Sequence, residues 1–288
     1  MFDVPPNLKW LEESPNGREW LRQLPAHVQA CVDRWSLRLE PPYEASYVSI
    51  VFSVTVADGS RAVLKVQFPH SESEDEAEAL RRWNGLGAVR LFDHDPAHHA
   101  LLMECCEPGD PLSSINAAEA LEVFTELLPR LWISADKPFR ALRDESLGWA
   151  EHLPSSWERA GRPFEMELLT ATLQALDALR ETQGKQVLVH QDLHGDNVLR
   201  AARERWLVID PKPLIGEREF ALAPIIRAYE FGDSRAATIE RLDKPTAALG
   251  LDRERARLWA LAQTLAWAFD GDRAIAQHVA TARWLWQA

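Results

Sequence analysis

The stretch His190-Gln191-Asp192-Leu193-His194-Gly195-Asp196-Asn197, followed by Trp206-Leu207-Val208-Ile209-Asp210-Pro211, decides how this chain is read. An apolar run, Gln186 to Val189, leads into it; Val198-Leu199 leads out, and a third run, Trp206 to Ile209, delivers Asp210. Short β-rich segments that bracket polar residues hold those residues at a rigid sheet edge. Asp192 is a carboxylate able to take a proton from an attacking hydroxyl. Asn197 and Asp210 are oxygen donors of the kind a hard cation needs. An isolated aspartate would carry little information, because loops are full of them. The order and the spacing carry it.

Asn197 lies five residues after Asp192, and Asp210 lies eighteen after it. That is the division of labour in the kinase catalytic loop, H-x-D-x-x-x-x-N followed by a metal-binding aspartate. Two other readings stand beside it. One is a plain polar turn in which His190 and Asp192 satisfy backbone groups. The other is a metal-dependent hydrolase whose His190, Asp192, His194 and Asp196 form a ligand cluster. On a strand, residues 190, 192 and 194 would share one face, but further ligands would have to come from elsewhere in the chain.

The 288 residues are 46% hydrophobic, enough for a large core divided between two lobes. The net charge of −12 argues against nucleic acid and anionic membranes, which favour basic patches, and suits a small cationic substrate. No basic start followed by an apolar run marks a signal peptide, and no apolar run reaches membrane-spanning length. The three cysteines, Cys31, Cys105 and Cys106, form no disulfide framework. A cytoplasmic, monomeric protein is the expectation.

Residues 17–35 have helical spacing, with Pro25 expected to divide them into two helices. Val48 to Val56, the turn Ala57-Asp58-Gly59-Ser60 and Arg61 to Phe68 read as a β-hairpin. Lys65 sits in the second strand, where a lysine is costly unless it meets an anion. The functional reading is contact with nucleotide phosphates, and the bland one is a lysine on the solvent face of an edge strand. A helix over 73–84 offers Glu74, Glu76 and Glu78 as partners for Lys65. Glu76 shares the face of Leu80 and Trp83 and is the choice. Two strands follow, 89–92 and 100–104. Residues 105–111 read as a hinge, where the Glu104 carbonyl and the Cys106 amide would meet an adenine edge. The division is therefore 1–104, hinge 105–111, and 112–288. Asn116 caps the next helix, residues 134–148 look loop-like, a helix follows around Trp149, 165–182 is amphipathic, and 217–288 is mostly helical.

These pieces together resemble the aminoglycoside phosphotransferase-like kinases, and within them the streptomycin 6-kinase and hydroxyurea-resistance kinase group. The carrying motifs are Trp20-Leu21-x-x-Leu24-Pro25, Ala62-Val63-Leu64-Lys65, Gly85-x-Gly87-Ala88-Val89-Arg90-Leu91, Leu101-Leu102-Met103-Glu104, the 190–199 stretch, and Ile209-Asp210-Pro211-Lys212-Pro213. The resemblance implies an α+β, protein-kinase-like two-lobed fold. It implies Asp192 as base, Asn197 and Asp210 as Mg²⁺ ligands, Lys65 paired with Glu76, and ATP as phosphoryl donor to a hydroxyl of a small cationic molecule such as streptomycin. A kinase of a non-antibiotic metabolite is the alternative. Two departures stand out. Ala45-Ser46-Tyr47-Val48-Ser49 has no glycine-rich phosphate loop, so Ser46 and Ser49 would cover the phosphates through backbone amides. Ala221 stands where an aspartate is usual. Asp144, Glu145, Glu217 and Glu219 are candidate walls for a cationic acceptor, with surface ion pairing as their ordinary alternative, and His194 would either approach the substrate or brace the loop.

Overall fold

The computed structural model describes residues 2–44 and 46–288; Ala45, the first residue of the segment expected over the phosphates, lies outside the described residues, as does Met1. The chain divides into two compact units, Met1–Gly109 with Ala201–Leu207, and Asp110–Arg200 with Val208–Ala288. The division at Gly109 falls inside the segment expected as a hinge. The return of residues 201–207 to the first unit was not expected.

In the first unit, α1 (Pro15–Trp35) is followed by β1 (Arg38–Pro42), β2 (Ser49–Thr55), β3 (Arg61–Gln67), α2 (Glu76–Trp83), β4 (Leu91–Asp95) and β5 (Ala100–Glu104). The strands form one antiparallel sheet in the order β1-β2-β3-β5-β4. Strand periodicity sends Ile50, Phe52 and Val54, with Ala62, Leu64 and Val66, into a core shared with Trp20, Leu24, Val28 and Cys31 of α1. The same alternation turns Lys65, between Leu64 and Val66, to the opposite face. Helix α1 is continuous through Pro25, contrary to the expected break. Proline removes one backbone donor, but the buried stripe Trp20–Leu24–Val28–Cys31 runs past it on one face and holds both halves to the sheet. Helix α2 starts three residues later than expected.

Arg203 explains why 201–207 joins this unit. Its guanidinium donates to both carboxylate oxygens of Glu104 (2.8 and 3.0 Å) and to the carbonyls of Gly85 (2.8 Å) and Ala88 (3.0 Å).

The second unit contains α3 (Ala117–Leu131), α4 (Leu142–Arg159), α5 (Met166–Glu181), β6 (Gln186–His190) and β7 (Val198–Arg200). Strand β8 (Trp206–Val208) straddles the boundary between the units. Then come β9 (Pro213–Glu217), α6 (Ala223–Arg227), α7 (Arg235–Leu249), α8 (Arg253–Ala266), the short β10 (Phe269–Asp270) and β11 (Arg273–Ala274), and α9 (Ala276–Trp286). Asn116 caps α3, its Oδ1 accepting from the Glu119 amide at 3.0 Å. Helix α4 begins inside the stretch read as loop-like. The β10–β11 hairpin lay hidden in the segment expected to be helical, because two-residue strands leave no periodic signal. The ribbon β6–β9 is antiparallel and pairs His190 with Pro213 at its end. That register brings two loops to one edge: the one leaving His190 and the one arriving through Asp210-Pro211-Lys212.

Candidate active site

In the first unit Lys65 is buried, and its Nζ donates to both carboxylate oxygens of Glu76 (2.9 and 2.7 Å). Gln67 Nε2 donates to the same carboxylate. Of the three glutamates weighed, Glu76 is the one buried against the sheet; Glu78 pairs instead with Arg81 and Arg82. A buried ion pair with an added amide donor fixes the ammonium's position, since neither charge can move without leaving the other unpaired. Ser46 and Ser49 bond to one another through their hydroxyls at 2.6 Å, at the start of β2, which carries Val51 opposite Lys65. Burial opposes ionisation of Glu104, but the fork of Arg203 outweighs it and holds the carboxyl below its usual range. Burial pushes the Cys106 thiol up to about 12, so it is an inert thiol.

In the second unit, hydrogen bonds to the backbone draw the residues of the 190–197 loop together. Asn197 Nδ2 donates to the Asp192 carbonyl (2.9 Å), and the Ile209 amide donates to the Asn197 carbonyl (3.0 Å). His190 joins the two loops. The Asp192 amide donates to its Nδ1 (3.1 Å), which must therefore be unprotonated, and its Nε2–H faces the Ile209 carbonyl (3.3 Å). Burial drives the imidazole down to about 4, against the pull of Asp192 and Asp210, so it is neutral. Both ring nitrogens are spent on the backbone, which removes His190 from the ligand cluster of the hydrolase reading. Among the described residues no three His, Cys, Asp or Glu side chains converge as a metal site.

Asp210 has φ 51°, in the left-handed region that a non-glycine residue seldom occupies. Such conformations collect at functional turns, where the surroundings enforce them. The orientation of Asn197, fixed by its Nδ2 bond, leaves Oδ1 with no donor among the described residues. An amide oxygen and a carboxylate form an all-oxygen donor pair, which fits a hard cation such as Mg²⁺ better than zinc.

The Asp192 carboxylate lies between two cations. Lys212 Nζ donates to Oδ2 at 2.7 Å, and Arg227 Nη2 is 3.7 Å from Oδ1. Burial would raise its pKa, but Lys212 first, then His194 and Arg227, hold it below the usual range. Both cations also lie over Trp267, with Lys212 Nζ 5.6 Å and Arg227 Cζ 4.6 Å from the ring centroid. Arg227 is itself buried and donates to Gln263, whose amide donates to the Gln191 carbonyl (3.1 and 2.7 Å). The sequence reading quoted Lys212 without giving it a role and missed Arg227 and Trp267. An arginine closing the apolar run Leu222-Ala223-Pro224-Ile225-Ile226 was the available signal for the second.

The loop is braced from behind. His194 Nδ1 accepts from the Asp196 amide (3.4 Å) and so caps a short 3₁₀ turn. Glu230 accepts from the Gly195 amide (2.9 Å), and Ser113 donates to Asp196. Gly195 must be glycine, because a Cβ there would come within 2.7 Å of Phe231 Cζ and 2.9 Å of the Ser113 amide.

The four acidic wall candidates separate. Glu217 is buried and accepts from Arg255 (2.7 Å), the Trp259 indole and the Gly184 amide (2.9 Å). That corrects its assignment, because it is a structural anchor with no oxygen to offer a ligand. Glu219 sits half-buried on the short helix after β9 and is not among the residues that line the cavity beside α4. Asp144 and Glu145 stand together on α4 and line a cavity with Gly148, Trp149 and His152.

Residues 34–272 match the aminoglycoside/hydroxyurea antibiotic resistance kinase family. The chain belongs to that family. It is 39% identical over 256 residues to the streptomycin 6-kinase of Streptomyces griseus, a match covering 86% of this chain and 83% of that one. It is 38% identical over 257 residues to the hydroxyurea phosphotransferase of Kitasatospora aureofaciens, covering 86% and 73%. At 17% identity the fold recurs, with a TM-score of 0.57 over 89% of this chain and 94% of the other. That structure is a thermostable mutant of the aminoglycoside phosphotransferase APH(4)-Ia, solved as a ternary complex with AMP-PNP and hygromycin B. The fold is therefore the protein-kinase-like α+β fold, as the resemblance implied.

Proposed function

We propose that this protein transfers the γ-phosphoryl group of ATP to a hydroxyl of an aminoglycoside of the streptomycin type, and so confers antibiotic resistance. What carries the reading is the setting of Asp192: an ionised carboxylate, fixed by two cations, in a loop whose Asn197 bonds the Asp192 carbonyl and in turn accepts from Ile209, the residue before Asp210. Asp192 accepts the acceptor's hydroxyl proton as that oxygen bonds to phosphorus, the bridging oxygen–phosphorus bond breaks, and ADP leaves. Phosphoryl transfer has a loose transition state, so orientation by Asp192 and charge compensation matter more than base strength. Asn197 and Asp210 would hold Mg²⁺, which when bound neutralises charge on the phosphate oxygens. Lys65, set by Glu76, would meet the α/β-phosphates, Ser46 and Ser49 would cover them, and the Glu104 and Cys106 backbone would meet the adenine. The proposal includes a cytoplasmic monomer with free thiols, consistent with three unpaired cysteines.

The experiment is a phosphoryl-transfer assay with labelled ATP against streptomycin, other aminoglycosides and hydroxyurea, with Asp192→Ala as control. Transfer to a streptomycin hydroxyl, reduced about 10²- to 10⁴-fold in the variant, is the expected result. No transfer to any hydroxylated amine, or undiminished turnover by Asp192→Ala, overturns the reading.

A further inference from the structure

The loop that carries Asp192 receives three contacts from one short segment, residues 227–231. Arg227 Nη2 lies 3.7 Å from Asp192 Oδ1, Glu230 accepts from the Gly195 amide (2.9 Å), and the Phe231 ring lies against Gly195. The segment has little regular structure of its own. It is the end of α6 and a single 3₁₀ turn, Tyr229–Phe231. Gly232 closes it at φ 118°, a conformation that residues with a Cβ rarely adopt. Helical pieces this short leave carbonyls without an intrahelical donor, so the shape must be held from outside.

Arg241 of α7 holds it. The side chain is 2% exposed. Its Nε donates to the Ile226 carbonyl (3.0 Å), and Nη1 donates to the carbonyls of Phe231 (3.3 Å) and Gly232 (2.9 Å). Its Nη2 donates to Thr238 Oγ1 (3.3 Å), one turn back on the same helix. One guanidinium therefore grips both ends of 227–231: the residue before Arg227 and the two after Glu230. No carboxylate lies within ion-pair distance of it among the described residues, and burial pushes its pKa down to about 10. Burying a cation among neutral acceptors is costly, and an apolar side chain of similar volume would fill the core without that cost. What the guanidinium adds is direction, because its rigid planar fork fixes several acceptors in one geometry.

We propose that Arg241 is a positioning residue for phosphoryl transfer: by clamping the carbonyls of Ile226, Phe231 and Gly232 it sets residues 227–231, and through Arg227 and Glu230 it sets Asp192 and the Gly195 turn. This rests on the kinase reading and extends it to a residue that has no bond to the 190–197 loop among the described residues.

The test compares wild type, Arg241→Met, Arg241→Lys, Arg227→Met and the double variant Arg227→Met/Arg241→Met. Well below its Tm, Arg241→Met should lose about 10- to 10²-fold in kcat, with little change in KM for ATP. Arg241→Lys keeps the charge and some of the donors and should recover part of that loss. In the Arg227→Met background the Arg241→Met loss should shrink, because the two side chains act through one contact. Amide hydrogen exchange of the nucleotide-free protein gives a readout without turnover. In both Arg241 variants the Gly195 amide should exchange about 5- to 10-fold faster, as for the loss of one hydrogen bond. The Leu188 amide, bonded to the Ile133 carbonyl (2.9 Å) in the same unit, should keep its wild-type rate. Wild-type kcat in Arg241→Met, an undiminished loss in the Arg227→Met background, or equal acceleration of both amides overturns the positioning role and leaves the kinase reading intact. If Arg241→Met does not fold, Arg241→Lys carries the same comparison; if neither folds, Arg241 is needed for folding and the proposal fails. If the wild type phosphorylates no acceptor, the kinase reading falls, and the exchange comparison alone decides whether Arg241 sets the loop.

Discussion

Replacing His190 by glutamine should flatten the acid side of the protein's stability curve. The imidazole is 2% exposed and is driven from 6.5 to about 4. In the unfolded chain it titrates near its ordinary value, so between these two values the unfolded state holds a proton that the folded state does not. Stability then rises with pH through this window and is lost as pH falls. Each pH unit inside the window is worth about 1.4 kcal/mol. Going from pH 7.5 to pH 5 should therefore cost about 2 kcal/mol through this one group, approaching about 3 kcal/mol near pH 4. The structural reason is that a protonated Nδ1 could not accept from the Asp192 amide. Glutamine keeps polar atoms at the site but does not titrate. Urea unfolding of the nucleotide-free protein at both pH values, wild type against His190→Gln, isolates the contribution from those of other histidines. The variant should be less stable at pH 7.5, by about 1 kcal/mol for a weakened hydrogen bond, but its pH 7.5-to-5 difference should be about 2 kcal/mol smaller than that of wild type. Equal pH differences in the two proteins would show that this imidazole is not held neutral by the fold, and the account of how the two loops are joined would fail.

Lys212→Met removes the cation nearest Asp192, so the acidic limb of the pH dependence of kcat/KM should move to higher pH; an unmoved limb refutes the electrostatic role assigned to Lys212. Glu217→Ala leaves the buried side of Arg255 and the Trp259 indole without their acceptor. It should lower stability by about 3–5 kcal/mol in chemical denaturation, and a loss below about 1 kcal/mol contradicts its role as anchor. Gly195→Ala forces a methyl against Phe231 and the Ser113 amide, at a cost of about 1–3 kcal/mol. It should also reduce kcat, measured beside Tm; a variant with wild-type kcat and Tm would mean that the loop yields freely.

The residues proposed to carry chemistry announced themselves locally. Asp192, Asn197 and Asp210 stand at separations set by the loop and turn that join consecutive strands, so their order along the chain already encodes their meeting. The buried strand lysine and the hairpin before it were legible for the same reason: a period of two and an Asp-Gly turn are nearest-neighbour signals. Even Glu76 could be singled out, because a residue's face on a helix follows from its spacing to Leu80 and Trp83.

What only the tertiary structure decided is which distant side chains complete those groups. Lys212 reaches Asp192 because the β6–β9 register pairs His190 with Pro213. Arg227 and Trp267 arrive from helix ends far along the chain, and Arg203 crosses nearly a hundred residues to hold Glu104. Packing likewise separated three acidic residues that look alike in sequence. Glu217 is consumed by Arg255 and Trp259, Glu145 by Arg140, and Asp144 alone lines the cavity with its charge uncompensated. A carboxylate's identity is written in the sequence. Whether it anchors the fold or faces a ligand depends on which long-range partner gets there first, and that is fixed by packing.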